Sequence, residues 1–179
     1  MNFASDNWAG VSPKVAAALT DAAEGLAPAY GGDDLTAQAT AALREVFETD
    51  LEVFFVATGT AANSLSLAAT SGPGGIGFCH SDAHIANDEG GAPAFLGRGL
   101  TLVTMPGANG KITPDALSAT LSHYPQNPAQ RGTPRVVSLS QVSEAGTVYT
   151  PEEIAEIGYV AHGRRMALHM DGARFANAI

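Results

Sequence analysis

Residues 135–171, RVVSLSQVSEAGTVYTPEEIAEIGYVAHGRRMALHMD, decide the fold. Arg135 to Val142 is an apolar run that reads as a strand. Thr150-Pro151-Glu152-Glu153 then opens a helix, with a cap, a proline at the first helical position and acids facing the positive end of the dipole. That helix runs to about Gly163, and Met166 to Met170 reads as a second, buried strand. Asp171 sits where this strand ends, and Arg174 follows three residues on. A carboxylate at the carboxyl end of a strand in an α/β sheet points into the crevice where ligands bind.

The same alternation extends back toward the amino terminus. Ile76 to His80 and Leu100 to Met105 read as strands, Thr113-Pro114-Asp115 caps a helix to His123, and Ala61 to Thr70 is a helix of small residues. Leu51 to Ala57 (LEVFFVA) is expected to be a further buried strand. Tyr124 to Pro134 is a Pro/Gln/Asn-rich loop, and Ser81 to Gly91 is a polar segment with helical character. Before Leu51, Pro13 to Leu26 and Leu35 to Thr49 carry apolar residues at helical spacing, separated by a glycine-bearing loop at Ala29 to Asp34. Strand and helix in turn predict an α/β domain with a mostly parallel sheet flanked by helices. Both faces of such a sheet are covered, which suits the near-continuous apolar strands.

At 179 residues the chain is long enough for one domain with a real core. A 45% hydrophobic and 15% charged composition is globular. The net charge of −9 argues against a nucleic-acid backbone as partner. Cys79 is the one cysteine, so no intrachain disulfide forms, which fits a reducing compartment. No apolar run approaches the ~20 residues of a membrane span, and no secretory signal precedes Ser12. A soluble cytoplasmic protein is the expectation.

Three groups of residues carry candidate chemistry. Thr58-Gly59-Thr60 lies between the expected strand and a helix, where backbone N–H groups and two hydroxyls make an anion site. A capped turn accounts for the same residues. His80, Asp82, His84, Asp88 and Glu89 form a polar cluster. Histidines four apart on a helix bind metal in other proteins, but spacing fixes no third ligand here. One imidazole stacked on an aromatic ligand, or surface histidines in a polar loop, are the alternatives. Asp171 and Arg174 close the chain's last strand, with Gln141 and Glu144 expected at the same crevice edge. A salt bridge or helix cap is the structural alternative. There is no G-x-S-x-G, no Walker loop and no cysteine pair.

Taken in order, Ser5-Asp6, Tyr30-Gly31-Gly32-Asp33, Thr58-Gly59-Thr60-Ala61-Ala62-Asn63, His84 with Glu89-Gly90-Gly91, and His169-Met170-Asp171-Gly172-Ala173-Arg174 resemble the threonine aldolases. These are pyridoxal 5'-phosphate (PLP) enzymes of the aspartate-aminotransferase fold, in the β-eliminating lyase group. The resemblance implies an N-terminal arm and helix over 1–25 and a partial PLP-binding large domain over 26–179. It implies cleavage of threonine or allo-threonine to glycine and an aldehyde, with other β-eliminating lyases such as tryptophanase as the nearest alternative. Asp171 would pair with the pyridinium nitrogen and Arg174 with the ring hydroxyl side and the substrate carboxylate. Thr58, Gly59 and Thr60 would hold the phosphate, His84 would stack on the ring, and Ser5 would help bind the substrate carboxylate. The site needs no metal, and the complete enzyme would be a homo-oligomer, a dimer of dimers.

Two departures stand out. The family's Glu-Asn-Thr-His run is replaced by Ser140-Gln141-Val142-Ser143-Glu144, which leaves the catalytic base open. The family's Schiff-base lysine stands about thirty residues past the aspartate, whereas Lys14 and Lys111 are the only lysines here. The expectation is an N-terminal portion, inactive alone, lacking the smaller C-terminal domain. A non-catalytic remnant of the fold, and a metal-dependent hydrolase using His80, His84 and His169 or Asp171, are the alternatives from other classes.

Overall fold

A computed structural model describes residues 8–124 and 131–179. Ser5 and Asp6 lie outside the described residues. The chain forms two compact units, Met1–Phe55 and Val56–Ile179.

Among its described residues the first unit contains two α-helices, α1 (Pro13–Ala22) and α2 (Asp34–Phe47). Ser12 Oγ accepts the Val15 N–H to start α1, with Pro13 in the first turn. Asp33 caps α2 twice over, accepting from Thr36 N at 2.8 Å and from Thr36 Oγ1 at 2.7 Å. Those bonds hold its carboxyl below the usual carboxylate range. Both helices appear where the apolar spacing puts them, yet neither has a buried residue. The run Leu51–Ala57 is not a strand: it pairs with no described strand, and Phe54 and Phe55 are exposed. Strand preference expresses fit to a pleated, covered surface, and this run has neither a ladder partner nor cover.

The second unit is built on four parallel strands in the order β2-β1-β3-β4: β1 (Gly75–His80), β2 (Thr101–Met105), β3 (Thr133–Ser140) and β4 (Ala167–Asp171). The connections are helical: α3 (Gly59–Thr70) leads into β1, the short α4 (His84–Asn87) and α5 (Ala92–Leu96) follow it, α6 (Pro114–Leu121) follows β2, and α7 (Pro151–Gly163) joins β3 to β4. The start of α7 is a full capping box between Thr150 and Glu153, as its sequence predicts. Lys111 adds an ion pair to Glu153, and this hydrogen-bonded pair pulls the Glu153 carboxyl below its ordinary range. The five-residue α5 is too short to show a helical period in the sequence.

Side-chain alternation along the strands sorts the core into two faces. One holds Ile76, Phe78, Val137 and Leu139 against Leu117 and Leu121 of α6 and Ile157 and Ala161 of α7. The other holds Cys79 and Val136 with Leu67 of α3, Ile85 and Leu100. On this second face Gly77 has no side chain, and a Cβ there would meet Leu102 Cδ2 at 3.0 Å and Val136 Cγ1 at 3.2 Å. Burial pushes the Cys79 thiol up to about 12, with the Glu144 charge adding to it, so it is a small apolar filler.

Candidate functional site

Because the strands are parallel, their carboxyl ends gather at one edge of the sheet. The chain runs from β1 out to β2 on one side and then crosses to β3 on the other, so β1 and β3 flank a topological switch point. That is where open α/β sheets bind ligands. His80 ends β1, Ser140 ends β3 and Asp171 ends β4, with Ser140 and Asp171 in register. Alternation puts Ser138 and Ser140 on the α3 face together with Val136. It also puts His169 and Asp171 there, while Leu168 packs into the opposite core. Apolar residues fill the amino-terminal half of this face and polar ones the carboxyl-terminal half.

Four side chains from four parts of the chain close into one network there. Asn63 of α3 donates from Nδ2 to Glu89 Oε1 (2.8 Å) and to Asp171 Oδ2 (3.0 Å). Glu89 Oε1 also lies 3.0 Å from His84 Nδ1. Asp171 Oδ1 accepts the Ala173 N–H, fixing the turn after β4. The Glu89 side chain is fully enclosed while that of His84 is 44% exposed, so the imidazole is held at one edge and open to the crevice. Behind them His169 Nδ1 meets Ser138 Oγ at 2.8 Å. Burial lowers the His169 pKa, and the Asp171 and Glu89 charges oppose that shift without reversing it.

A second carboxylate wall comes from the loop after β3. Glu144 Oε1 accepts from Ser140 Oγ (2.8 Å) and from the His84 backbone N–H (3.1 Å), and lies 3.7 Å from Arg174 Nη2. Arg174 is aimed by Val142, whose carbonyl takes both Nε (3.1 Å) and Nη2 (3.0 Å). Glu144 thus stands at the crevice edge as expected. Gln141 does not: its buried amide clamps the backbone of Tyr149, donating to O (2.9 Å) and accepting from N (3.0 Å). A long amide next to an exposed backbone pair satisfies two buried groups at once, which outweighs any crevice position.

Thr58, Gly59 and Thr60 form the amino terminus of α3. Thr58 Oγ1 caps the Ala61 N–H, and the Gly59 and Thr60 amides precede the first intrahelical bond, Ala62 N to Thr58 O. A Cβ built on Gly59 would meet no atom within 4 Å outside its chain neighbours and its own helix backbone, so the space beside this residue is open. Asn63 is four residues further along the same helix, an axial rise of ~6 Å. One helix therefore presents its first-turn amides at its tip and a hold on Asp171 one turn later.

His84, Asp171 and Arg174 are thus brought to one site, with Thr58–Thr60 on the helix that abuts it. Asn63 and Glu89 complete it. Both fall inside the motifs quoted above, but their side chains meet only in three dimensions. His80 is not part of the site: its Nε2 lies 3.0 Å from Gly107 O and its Nδ1 accepts the Asp82 N–H. The metal alternative therefore changes membership. The ligand atoms of His84, Glu89 and Asp171 lie within 4.8 Å of one another, but Asn63 and Ala173 already donate to these carboxylates. That donor set is arranged for hydrogen bonding.

The fold defines the class first. A serine palmitoyltransferase variant from S. paucimobilis with a bound PLP–myriocin aldimine superposes with a TM-score of 0.62 at 22% identity, over 88% of this chain and 37% of that one, so the two share a fold. The beta-eliminating lyase family model matches residues 2–179, and the chain belongs to that family. Low specificity L-threonine aldolases from Pseudomonas aeruginosa and Pseudomonas sp. (strain NCIMB 10558) are 45% and 43% identical to it, over 98% of this chain and 50% of theirs. A threonine aldolase from Leishmania major superposes with a TM-score of 0.89 at 27% identity, covering 96% of this chain and 49% of that protein. The chain spans about half the length of the curated relatives it matches.

Proposed function

We propose that this chain supplies the cofactor-gripping part of a PLP-dependent carbon–carbon lyase that cleaves threonine or allo-threonine to glycine and an aldehyde. The observation that carries the reading is the spacing on α3: first-turn amides at Gly59 and Thr60 with no partner among the described residues, and one turn later the Asn63 bond to Asp171. A dianion at the helix tip and an N–H acceptor a ring's length away suit a phosphorylated pyridine. The family and the fold point to the same cofactor.

When bound, PLP withdraws electrons from the substrate's Cα so that a bond to that carbon breaks. The chain's own residues do the rest. Thr58, Gly59 and Thr60 receive the phosphate through amides and hydroxyls at the positive end of α3. Asp171, oriented by Asn63 and Ala173, would accept the hydrogen bond of the ring nitrogen. His84, its edge tied to Glu89, would pack against the ring. Arg174, aimed by the Val142 carbonyl, meets the substrate carboxylate, and Ser5, which lies outside the described residues, is proposed to join it. His84 and Glu144 are the groups in this wall able to take the β-hydroxyl proton. Lys111 is held by Val148 O, Glu153 and the Tyr149 ring, none of which belongs to the site. A Schiff-base lysine is proposed to come from the half of the relatives' length that this chain does not span.

The test has two stages. PLP titrated into the 179-residue chain, followed by protein fluorescence, should bind saturably. Asp171→Ala and Gly59→Pro should each weaken binding, the first by about tenfold or more, since a hydrogen bond to a charged group is lost. Absence of saturable binding to the unaltered chain would sink the reading. In the complete enzyme, glycine formation from threonine and allo-threonine but not indole release from tryptophan separates the aldolase from the tryptophanase-like alternative.

A further inference from the structure

Glu89 is enclosed on all sides, and its Oε2 has no hydrogen-bond partner among the described residues. A buried carboxylate oxygen left bare is costly, so the position is held by something other than stability. Its other oxygen accepts two donors at once, His84 Nδ1 and Asn63 Nδ2. The same Asn63 nitrogen reaches Asp171 Oδ2. Both hydrogens of one planar amide are thus committed, one to each carboxylate, and they hold apart two groups that would otherwise repel. Glu89 is followed by Gly90 and Gly91, both at positive φ, which turn the chain into α5 and fix the acid's backbone.

We infer that Glu89 is a positioning residue that sets two functional groups together: directly, it locks His84 with Nδ1 as donor and Nε2 turned to the crevice, and through Asn63 it orients the Asp171 carboxylate. An acceptor at Nδ1 decides which ring nitrogen carries the proton, because a carboxylate offers only lone pairs. The plane of the imidazole and the plane of the Asp171 carboxylate are then fixed relative to each other by the Glu89–Asn63 link. A flat heteroaromatic ligand between them meets a preset face and a preset edge. This inference rests on the PLP reading for its purpose but not for its geometry.

The geometry is tested without any ligand by ¹⁵N NMR of the His84 ring in the 179-residue chain. The unaltered chain and Glu89→Gln, whose side-chain oxygen still accepts, should show His84 with the proton on Nδ1. Glu89→Leu should release it to the Nε2–H form that free neutral imidazole prefers. If Glu89→Leu fails to fold, Glu89→Asp, which shortens the arm by one methylene, takes its place with the same expectation. A purely structural acid would leave the tautomer unchanged in the leucine or aspartate variant, and that result overturns the inference. PLP titration supplies the second readout: Glu89→Gln should bind within about threefold of the unaltered chain, and Glu89→Leu about tenfold or more weaker. Equal binding by Glu89→Leu overturns the link to Asp171. Failure of the unaltered chain to bind PLP counts against the cofactor reading alone, and the tautomer result still decides the role of Glu89.

Discussion

Asn63→Ala puts the network to its sharpest energetic test, because Ser64 beside it supplies an internal control. Asn63 makes two bonds to acidic groups, at 2.8 and 3.0 Å, and is itself buried. A hydrogen bond to a charged group is worth about 1.5–3 kcal/mol, so losing both removes about 3–6 kcal/mol. The better helix propensity of Ala returns roughly 0.5 kcal/mol. A net loss near 3 kcal/mol or more is expected, a large share of the 5–15 kcal/mol typical of a domain. Ser64 is also buried, on the same helix, but its Oγ has no partner among the described residues. Ser64→Ala removes a desolvated hydroxyl and should be neutral or stabilising by up to about 1 kcal/mol. Urea unfolding followed by circular dichroism reads both. With a slope of roughly 2 kcal/mol/M, Asn63→Ala should lower the midpoint by about 1.5 M, while Ser64→Ala leaves it in place or raises it. Equal shifts for the two variants would refute the reasoning, because burial alone would then explain both.

Tyr149→Phe should cost about 1–3 kcal/mol in the same assay, because the buried Ile112 N–H loses the acceptor it has at 2.7 Å. Tyr149 is also closed to titration, since burial pushes its phenol up to about 12, so its absorbance should stay that of the neutral phenol through pH 10. Thr150→Ala breaks the capping box of α7 and should cost about 1 kcal/mol, with Thr150→Ser recovering most of it. The pH dependence has a defined sign. His169 has a folded pKa below its ordinary 6.5, so the unfolded chain binds the extra proton first. Its contribution is therefore complete above 6.5 and is lost as the pH falls through that value toward the folded pKa, at no more than about 1.4 kcal/mol per pH unit. His169→Gln should flatten the stability profile just below pH 6.5. Glu153 and Asp33, whose carboxyls are held low by Lys111 and Thr36 respectively, act in the separate window below about 4.5.

The order of elements was legible because each signal is local. Proline and a hydroxyl mark the starts of α6 and α7, and apolar runs of five to eight residues mark the strands. The run Leu51–Ala57 looked the same in composition and is not a strand, because a strand needs a ladder partner and one-dimensional composition carries no partner. Gln141 failed for a related reason: its position after β3 was legible, but the backbone of Tyr149 eight residues later claims its amide.

The site divides the same way. The strand end at Asp171 and the helix start at Thr58-Gly59-Thr60 were legible, since both follow from backbone geometry. Asn63 and Glu89 were not, because their meaning lies in bonds spanning 26 and 108 positions of sequence. What joins the two halves is the helix between them. On the proposed reading the tip of α3 receives an anion because the Gly59 and Thr60 amides have no partner among the described residues, and its next turn holds Asp171 because residue 63 is an amide facing β4. A change of one residue in the spacing between Gly59 and Asn63 would rotate that amide by ~100° around the helix axis and away from both carboxylates. The distance along α3, more than any single residue type, is therefore what makes the two motifs one site.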